Sequence, residues 1–238
     1  MRDALSITML AFATIANRTG DPAKMEEILR PVVATAKEAF ERDQTNASAL
    51  RDYCGKLGLL SEFLAQTQRT DDGIAGLEES AKLADRLLTF APDHTEFIRT
   101  AAVAHYRLCQ WRRELGLPEA DTPGIKALKL RRAKFTMDAK NDRFRIEKML
   151  SEAQAGDVAV AKEIADAYWA NPKLDNELLI ELARSYAQMS LRSDLETERT
   201  ALRNRAIEAL KRARDQGYLD RVFIQNELDL KAVRSIEW

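Results

Sequence analysis

Residues 182–218, LARSYAQMSLRSDLETERTALRNRAIEALKRARDQGY, decide the fold. Small and apolar side chains return at helical spacing through Leu182, Ala183 and Tyr186, and again through Ala206, Leu210 and Ala213. At about 100° per residue each set falls on one face of a helix. The second run stops at Gly217-Tyr218 and passes into a short coda, Leu228-Asp229-Leu230 to Trp238. Two amphipathic helices followed by a covering segment are how a helical repeat array closes, because its last pair otherwise exposes the face that a next repeat would bury. Residues 1–218 are therefore expected to form the array and 219–238 its cap, with Tyr218, Leu230, Val233 and Trp238 covering the final pair.

Composition agrees with a water-facing helical protein. Charged side chains make up 32 % of the 238 residues and hydrophobic ones 45 %, and only nine Gly and six Pro interrupt them, so long helices are expected. The formal net charge of −1 offers no global attraction to nucleic acid or to an anionic membrane. Cys54 and Cys109 are too few for a disulfide framework and point to a reducing compartment, the cytoplasm. The apolar run Ala4 to Ala16 follows Arg2, but Asp3, Ser6, Thr8 and Thr14 interrupt it, so it reads as an ordinary first helix rather than a signal peptide. It is too short to span a bilayer.

Apolar periodicity places helices over 2–18, 22–42, 46–67, 71–90, 94–115, 121–139, 141–154, 157–170, 175–190 and 197–215, with no stretch of period two that asks for a strand. The breaks carry helix-ending and helix-starting residues. Gly20-Asp21-Pro22 and Gly156-Asp157 set a glycine after one helix and an aspartate cap before the next, and Pro92-Asp93-His94-Thr95 is expected to act in the same way. Pro31 predicts a kink or a later start in its segment, and 190–196 is the loosest connection.

On these residues the chain resembles tetratricopeptide-repeat arrays, and more narrowly the degenerate, elongated version found downstream of the kinase domain in bacterial serine/threonine kinases. Leu57-Gly58, Leu108-Cys109 with Gly116 seven residues on, and Leu182-Ala183 with Tyr186 stand where that family has its Leu-Gly pair, turn glycine and aromatic residue. Pro92 and Pro172 stand at unit ends, and Asn46 to Gly58, with Arg51-Asp52-Tyr53, resembles the opening of a unit. The resemblance implies an all-α fold, a right-handed α-α superhelix of about five antiparallel helix pairs with a C-terminal capping segment. Two departures stand out. The interval from Gly58 to Cys109 exceeds the roughly 34 residues of a tetratricopeptide unit, which calls for longer helices or an inserted turn near Gln66–Asp72. Asn226-Glu227 replaces an aspartate-proline pair in the coda.

A helix in such an array buries one stripe and leaves another side open for recognition. Leu50, Tyr53, Leu57, Leu60 and Leu64 are expected to pack inward, with Asp52, Lys56, Leu59 and Phe63 facing away. Phe97, Ala101, Leu108, Cys109 and Leu115 form the next stripe, opposite Arg99, Tyr106, Gln110 and Arg113. Leu178, Leu179, Leu182, Ala183, Tyr186 and Met189 form the last, opposite Glu177, Arg184 and Gln188. The partner-binding set is thus Asp52, Leu59, Phe63, Arg99, Tyr106, Gln110, Arg113, Glu177, Arg184 and Gln188, rich in the residue types of binding hot spots. The resemblance makes Leu59, Gln110 and Arg184 equivalent positions of a concave channel. The alternative is a set of solvated faces, or packing of Leu59 and Phe63 on a neighbouring helix.

Little in the sequence asks for chemistry. His105 and Cys109, four apart, could share a metal, but His105 lies within the apolar stripe and reads as a packed histidine. The doublets Glu26-Glu27, Asp71-Asp72 and Glu78-Glu79 read as helix starts and polar faces, and no glycine-rich phosphate loop or kinase catalytic motif is present. Lys126, Lys129, Arg131, Arg132, Lys134, Lys140, Arg143, Arg145 and Lys148 make 125–148 basic, against Asp138, Asp142 and Glu147, with Phe135 and Phe144 interleaved. That segment is expected to be a solvated face, with a patch for nucleic acid or acidic partners as the rival. The sequence therefore points to a non-enzymatic scaffold, with no cofactor and no metal, that holds a peptide or protein segment. The rivals are an accessory module of a serine/threonine kinase and binding through 125–148.

Overall fold

Short polar side chains set several helix starts. Asn46 Oδ1 accepts from the Ala49 amide at 3.0 Å, Asp175 Oδ1 from Leu178 at 2.8 Å and Asp157 Oδ1 from Ala159 at 2.8 Å, each satisfying an amide that has no partner inside its helix. The computed structural model describes residues 22–67, 69–171, 173–217, 224 and 227–233. The expected helix at 2–18, the Gly20-Asp21 turn, Pro172, Tyr218, Asn226 and Trp238 lie outside them. The described helices are α1 (Pro22–Arg42), α2 (Ala47–Gln66), α3 (Thr70–Phe90), α4 (Thr95–Glu114), α5 (Asp121–Met137), α6 (Asp142–Ala155), α7 (Val158–Trp169), α8 (Asn176–Arg192) and α9 (Glu196–Asp215), followed by a 3-10 helix, Leu228–Val233. The fold is all-α, and no strand occurs among the described residues.

Two sequence expectations resolve here. Helices α2 and α3 are 20 and 21 residues long, so long helices, not an inserted turn, account for the wide interval after Gly58. Pro31 sits inside α1, which runs on past it as one helix from Pro22 to Arg42. The start of α4 corrects another expectation: its cap is His94, which makes no side-chain capping bond, rather than Asp93. Gly116, at φ +62°, ends α4 as the family pattern implied. Its amide donates to Arg113 O at 3.1 Å and the next one to Arg112 O at 2.9 Å, a double closure that favours glycine in the left-handed conformation.

The chain divides into two compact units, Met1–Pro123 and Gly124–Trp238. In the first, α2 packs against α1, α3 and α4, and α3 packs against α4. Leu50, Leu77, Ala84, Leu87, Ala101 and Cys109 are fully buried between them. Each such leucine contributes about 2 kcal/mol of burial. The three-residue link between α2 and α3 makes them an antiparallel pair, and the approach is close at Gly73, where an added Cβ would stand 2.6 Å from the Ala65 nitrogen.

In the second unit, α8 packs against α6, α7, α9 and the 3-10 helix. Leu179, Leu182, Ala183, Tyr186 and Met189 of α8 meet Ala206, Leu210 and Ala213 of α9, and Leu230 and Val233 of the 3-10 helix are buried in the same cluster. The guanidinium of Arg192, at the end of α8, donates to the carbonyls of Glu152, Ala153 and Gly156 at the end of α6. A cation there meets the negative end of the helix dipole, and the Glu152 carbonyl accepts from the Gly156 amide as well, at 3.0 Å.

Part of the basic 125–148 segment is spent inside this second unit. Arg132 holds Glu152 through two bonds of 2.7 Å, Arg131 donates to Ser151 Oγ at 2.8 Å, and Lys134, only 1 % exposed, lies 3.0 Å from Glu147 and over the Phe144 ring. Lys148 lies over the Phe135 ring. This corrects the expected solvated face for Arg131 and Lys134, which are buried against α6, while Lys126, Lys129, Arg132, Lys140 and Arg143 are exposed as expected, and the two phenylalanines carry cations.

Candidate interaction cleft

Helices α2 and α4 lean on α3 and on each other, and ion pairs fix their spacing. Arg107 of α4 reaches Glu62 of α2 at 3.1 Å, Arg112 reaches Glu78 of α3 at 2.6 Å, and His105 Nε2 lies 2.8 Å from Asp85 Oδ1. His105 is thus a packed, paired histidine. Among the described residues no group of three His, Cys, Asp or Glu is placed to hold a metal ion.

Between α2 and α4 lies a cleft of about 250 Å³. Gly55 on one side and Arg99, Thr100, Val103 and Arg107 on the other shape it, with Ser80 of α3 behind. Cys54, also at its wall, is buried: its Sγ donates to Ser80 O at 3.2 Å, and Ser80 Oγ donates back to Cys54 O at 3.0 Å. Burial pushes the Cys54 thiol up to about 11, against the smaller opposite effects of the Ser80 hydrogen bond and Arg107. A thiol held protonated at neutral pH is no nucleophile. The cleft presents two guanidinium groups, the hydroxyl-bearing Ser80 and Thr100, and a small apolar wall.

The structure separates the ten residues expected on the open faces. Arg99 lines the cleft. Asp52 is exposed and bound to Lys56 at 2.6 Å, Leu59 is half-buried, and Arg113 pairs with Asp121 at 2.6 Å. Phe63 and Tyr106 are each 4 % exposed, and Gln110 and Gln188 are also buried, which corrects their outward assignment. The reason is geometric: α2, α4 and α8 each touch two or more other helices, so the buried arc of each is wider than one stripe. Leu115 errs in the other direction, being exposed just after the end of α4. Gln110 Nε2 is buried without a hydrogen-bond partner. Glu177 is exposed in the first turn of α8, where a carboxylate favours the helix dipole. Arg184 is held by Glu181 of its own helix at 3.0 Å and by Asp229 of the 3-10 helix at 2.7 Å.

Sequence reasoning missed Gly55, Thr100, Val103 and Arg107. Arg107 and Val103 flank the apolar stripe rather than oppose it, and Gly55 was overshadowed by the Leu57-Gly58 signature. A second glycine inside one helical period was the available signal, since glycine weakens a helix interior by about 1 kcal/mol relative to alanine.

A second cavity, of about 370 Å³, lies in the other unit between α7 and α9, over Tyr186. Tyr186 donates to Asp166 Oδ1 at 2.8 Å, and the Trp169 ring meets Tyr186 edge-on at 6.1 Å with the guanidinium groups of Arg205 and Arg212 over it. Its charged walls balance, Lys162 and Arg205 against Asp166 and Glu198.

No protein-family model and no curated protein matches the chain. Among solved structures it is similar to a tetratricopeptide repeat protein from Parabacteroides merdae ATCC 43184, at 15 % identity and a TM-score of 0.30, over 95 % of this chain and 98 % of that one. None of the described helices is long and apolar enough to cross a membrane.

Proposed function

We propose that the chain is a non-enzymatic interaction module, a tetratricopeptide-like array that holds a peptide or protein segment in the α2–α4 cleft. The cleft itself carries this reading. It is bounded by two helices of an all-α unit, open to solvent, walled by half-buried Arg99, Thr100, Val103 and Arg107, and floored by groups whose hydrogen bonds are already made. Concave sites of this kind, with a few convergent polar groups, are the usual place for a ligand. The narrower role, an accessory module of a serine/threonine kinase, rests on the sequence resemblance alone. Recognition of acidic partners through 125–148 draws no support from side chains already paired between α5 and α6.

The test is selection of peptides from a displayed random library on the purified chain, followed by binding to a Val103→Arg variant of unchanged helicity. Binders that lose at least tenfold in affinity on that substitution are the expected result. Binders indifferent to it, or none at all, would remove the cleft from consideration.

A further inference from the structure

Charges at the α7–α9 cavity are mostly paired with one another. On α7, Lys162 holds Asp166 at 2.6 Å, and Tyr186 of α8 donates to the same carboxylate at 2.8 Å. On α9, Arg205 reaches Glu208 at 3.7 Å. Glu198 and Arg212 differ. Glu198, at the cavity wall, accepts from Ser193 Oγ at 2.7 Å, and no cation pairs with it among the described residues. Arg212 is half-buried, with its guanidinium 4.9 Å from the centre of the Trp169 ring, and no carboxylate pairs with it among the described residues. The site carries no net charge, yet it has a negative end and a positive end.

The two ends are set along one helix. Glu198, Arg205 and Arg212 recur every seven residues, which puts them on one side of α9, and fourteen residues separate the outer two by about 21 Å. Beside this row the cavity has an apolar floor of Trp169, Tyr186 and Leu202 and a small exposed side chain, Ala201, at its edge. The dipole of α9 suits a carboxylate in its first turn and a guanidinium in its last, which accounts for where the two charges stand but supplies neither with a counter-ion.

A helix matches this arrangement. Laid along α9, it returns its own side chains at the same seven-residue spacing, and an apolar stripe on that face fills the floor. Its dipole favours an acidic residue near its N-terminus and a basic one near its C-terminus. Acid opposite Arg212 and base opposite Glu198 therefore run it antiparallel to α9.

We infer that the α7–α9 cavity seats an amphipathic helix of a partner protein, antiparallel to α9, with an acidic residue at Arg212 and a basic residue fourteen positions later at Glu198. This is a second interaction site, independent of the α2–α4 cleft.

The probe is a fluorescein-labelled eighteen-residue peptide with a glutamate at its second position, leucines at the fifth, ninth and twelfth and a lysine at the sixteenth, in an alanine and glutamine background. It is titrated onto the full chain by anisotropy at 20 mM and 500 mM salt. One comparison peptide exchanges the two charges, and another has asparagine for the central leucine. We expect the first peptide to bind at least fivefold more tightly than the charge-exchanged one at low salt, with the gap closing at high salt. The asparagine version should lose at least fivefold at both. Glu198→Lys combined with Arg212→Glu should reverse the order of the two charged peptides, which a difference in their helicity alone cannot do. Ala201→Arg, at an exposed position, should remove binding without moving the thermal midpoint. No binding, equal affinity of the two charged peptides, or binding indifferent to Ala201→Arg overturns the inference. So does an order of affinities that a folded double variant leaves in place. Binding lost on Val103→Arg would place the peptide in the α2–α4 cleft, sinking this inference and keeping the proposed function.

Discussion

Arg184 of α8 donates from both Nε and Nη2 to one oxygen of Asp229, at 3.0 and 2.7 Å, and so ties the 3-10 helix to the second unit. Asp229 is fully buried, Gln188 Nε2 donates to its carbonyl at 3.3 Å, and Glu227 stands 3.9 Å from the same guanidinium. A buried charge is tolerated because it is paired, and removing one member leaves the other partly exposed to that penalty. Asp229→Ala should therefore cost about 2–3 kcal/mol in urea unfolding, below the upper end of the range because Arg184 keeps Glu181. A midpoint unchanged by the substitution would mean that the tie holds nothing.

Leu230 and Val233 are buried against α8 and α9, so the coda is part of the core. Deleting residues 219–238 exposes Leu182, Leu210 and their neighbours. The prediction is lower thermal stability and greater aggregation, with affinity for a cleft-binding peptide changed less than twofold once the fold is accounted for. If the shortened chain melts like the full one, these residues are not a cap.

The helices were legible because their period and caps are local properties. Asp157 and Asp175 cap α7 and α8, Gly116 closes α4, and every expected segment from residue 22 onward is a helix. The site was less legible. Of the ten face residues only Arg99 lines the cleft, because a single-stripe reading of a helix cannot know how many neighbours it will touch. Phe63 and Tyr106, aromatic and expected outward, are core; Arg107, unremarked, is at the cleft. The basic run misled for a related reason, since charge in a sequence does not reveal that Lys134 will lie buried beside Glu147.

That buried pair gives a further test. Lys134 is 1 % exposed, and Glu147 also has Arg143 at 3.6 Å. Lys134→Ala removes a buried cation and the packing of its stem on Phe144, and should destabilise by about 2–3 kcal/mol. Lys134→Met, which keeps the volume, should recover at least half of that loss. Equal effects of the two substitutions would place the whole cost in the charge. Neither should alter peptide binding at the α2–α4 cleft.

Two carboxyl groups of the second unit, buried Glu152 and half-buried Glu181, respond to pH in opposite senses. Burial raises the Glu152 carboxyl, but hydrogen bonds from Arg132 and from the Asp157 amide outweigh it and hold it below its ordinary value. Its contribution is present above the unfolded value of about 4.3 and is lost as pH falls through the lower folded value. Burial raises the Glu181 carboxyl, Arg184 opposes, and Asp229 and Glu227 add to the rise. Its contribution is full below about pH 4.3 and is lost as pH climbs through the raised value. Glu152→Gln should lower stability at pH 7 and flatten the acid decline below about pH 4.3, whereas Glu181→Gln should raise stability at pH 7 relative to pH 4. Parallel stability curves for the wild type and both variants would contradict these assignments.

Cys54 and Cys109 are both buried, and burial holds the Cys54 thiol protonated until about pH 11. Thiol exchange needs the thiolate and a path to it, and Cys54 lacks both in the folded chain despite lying at the cleft wall. At pH 8 a disulfide reagent such as DTNB should therefore label neither cysteine within minutes, and should label both at once in 6 M guanidinium at about the rate of a free thiol. A peptide seated in the cleft should leave Cys54 as slow as before, because burial between α2 and α3, which a bound peptide does not relieve, is what withholds the thiol. Rapid labelling of Cys54 in the native chain would show instead that the α2–α3 contact opens readily, and that the wall of the cleft is not a fixed surface.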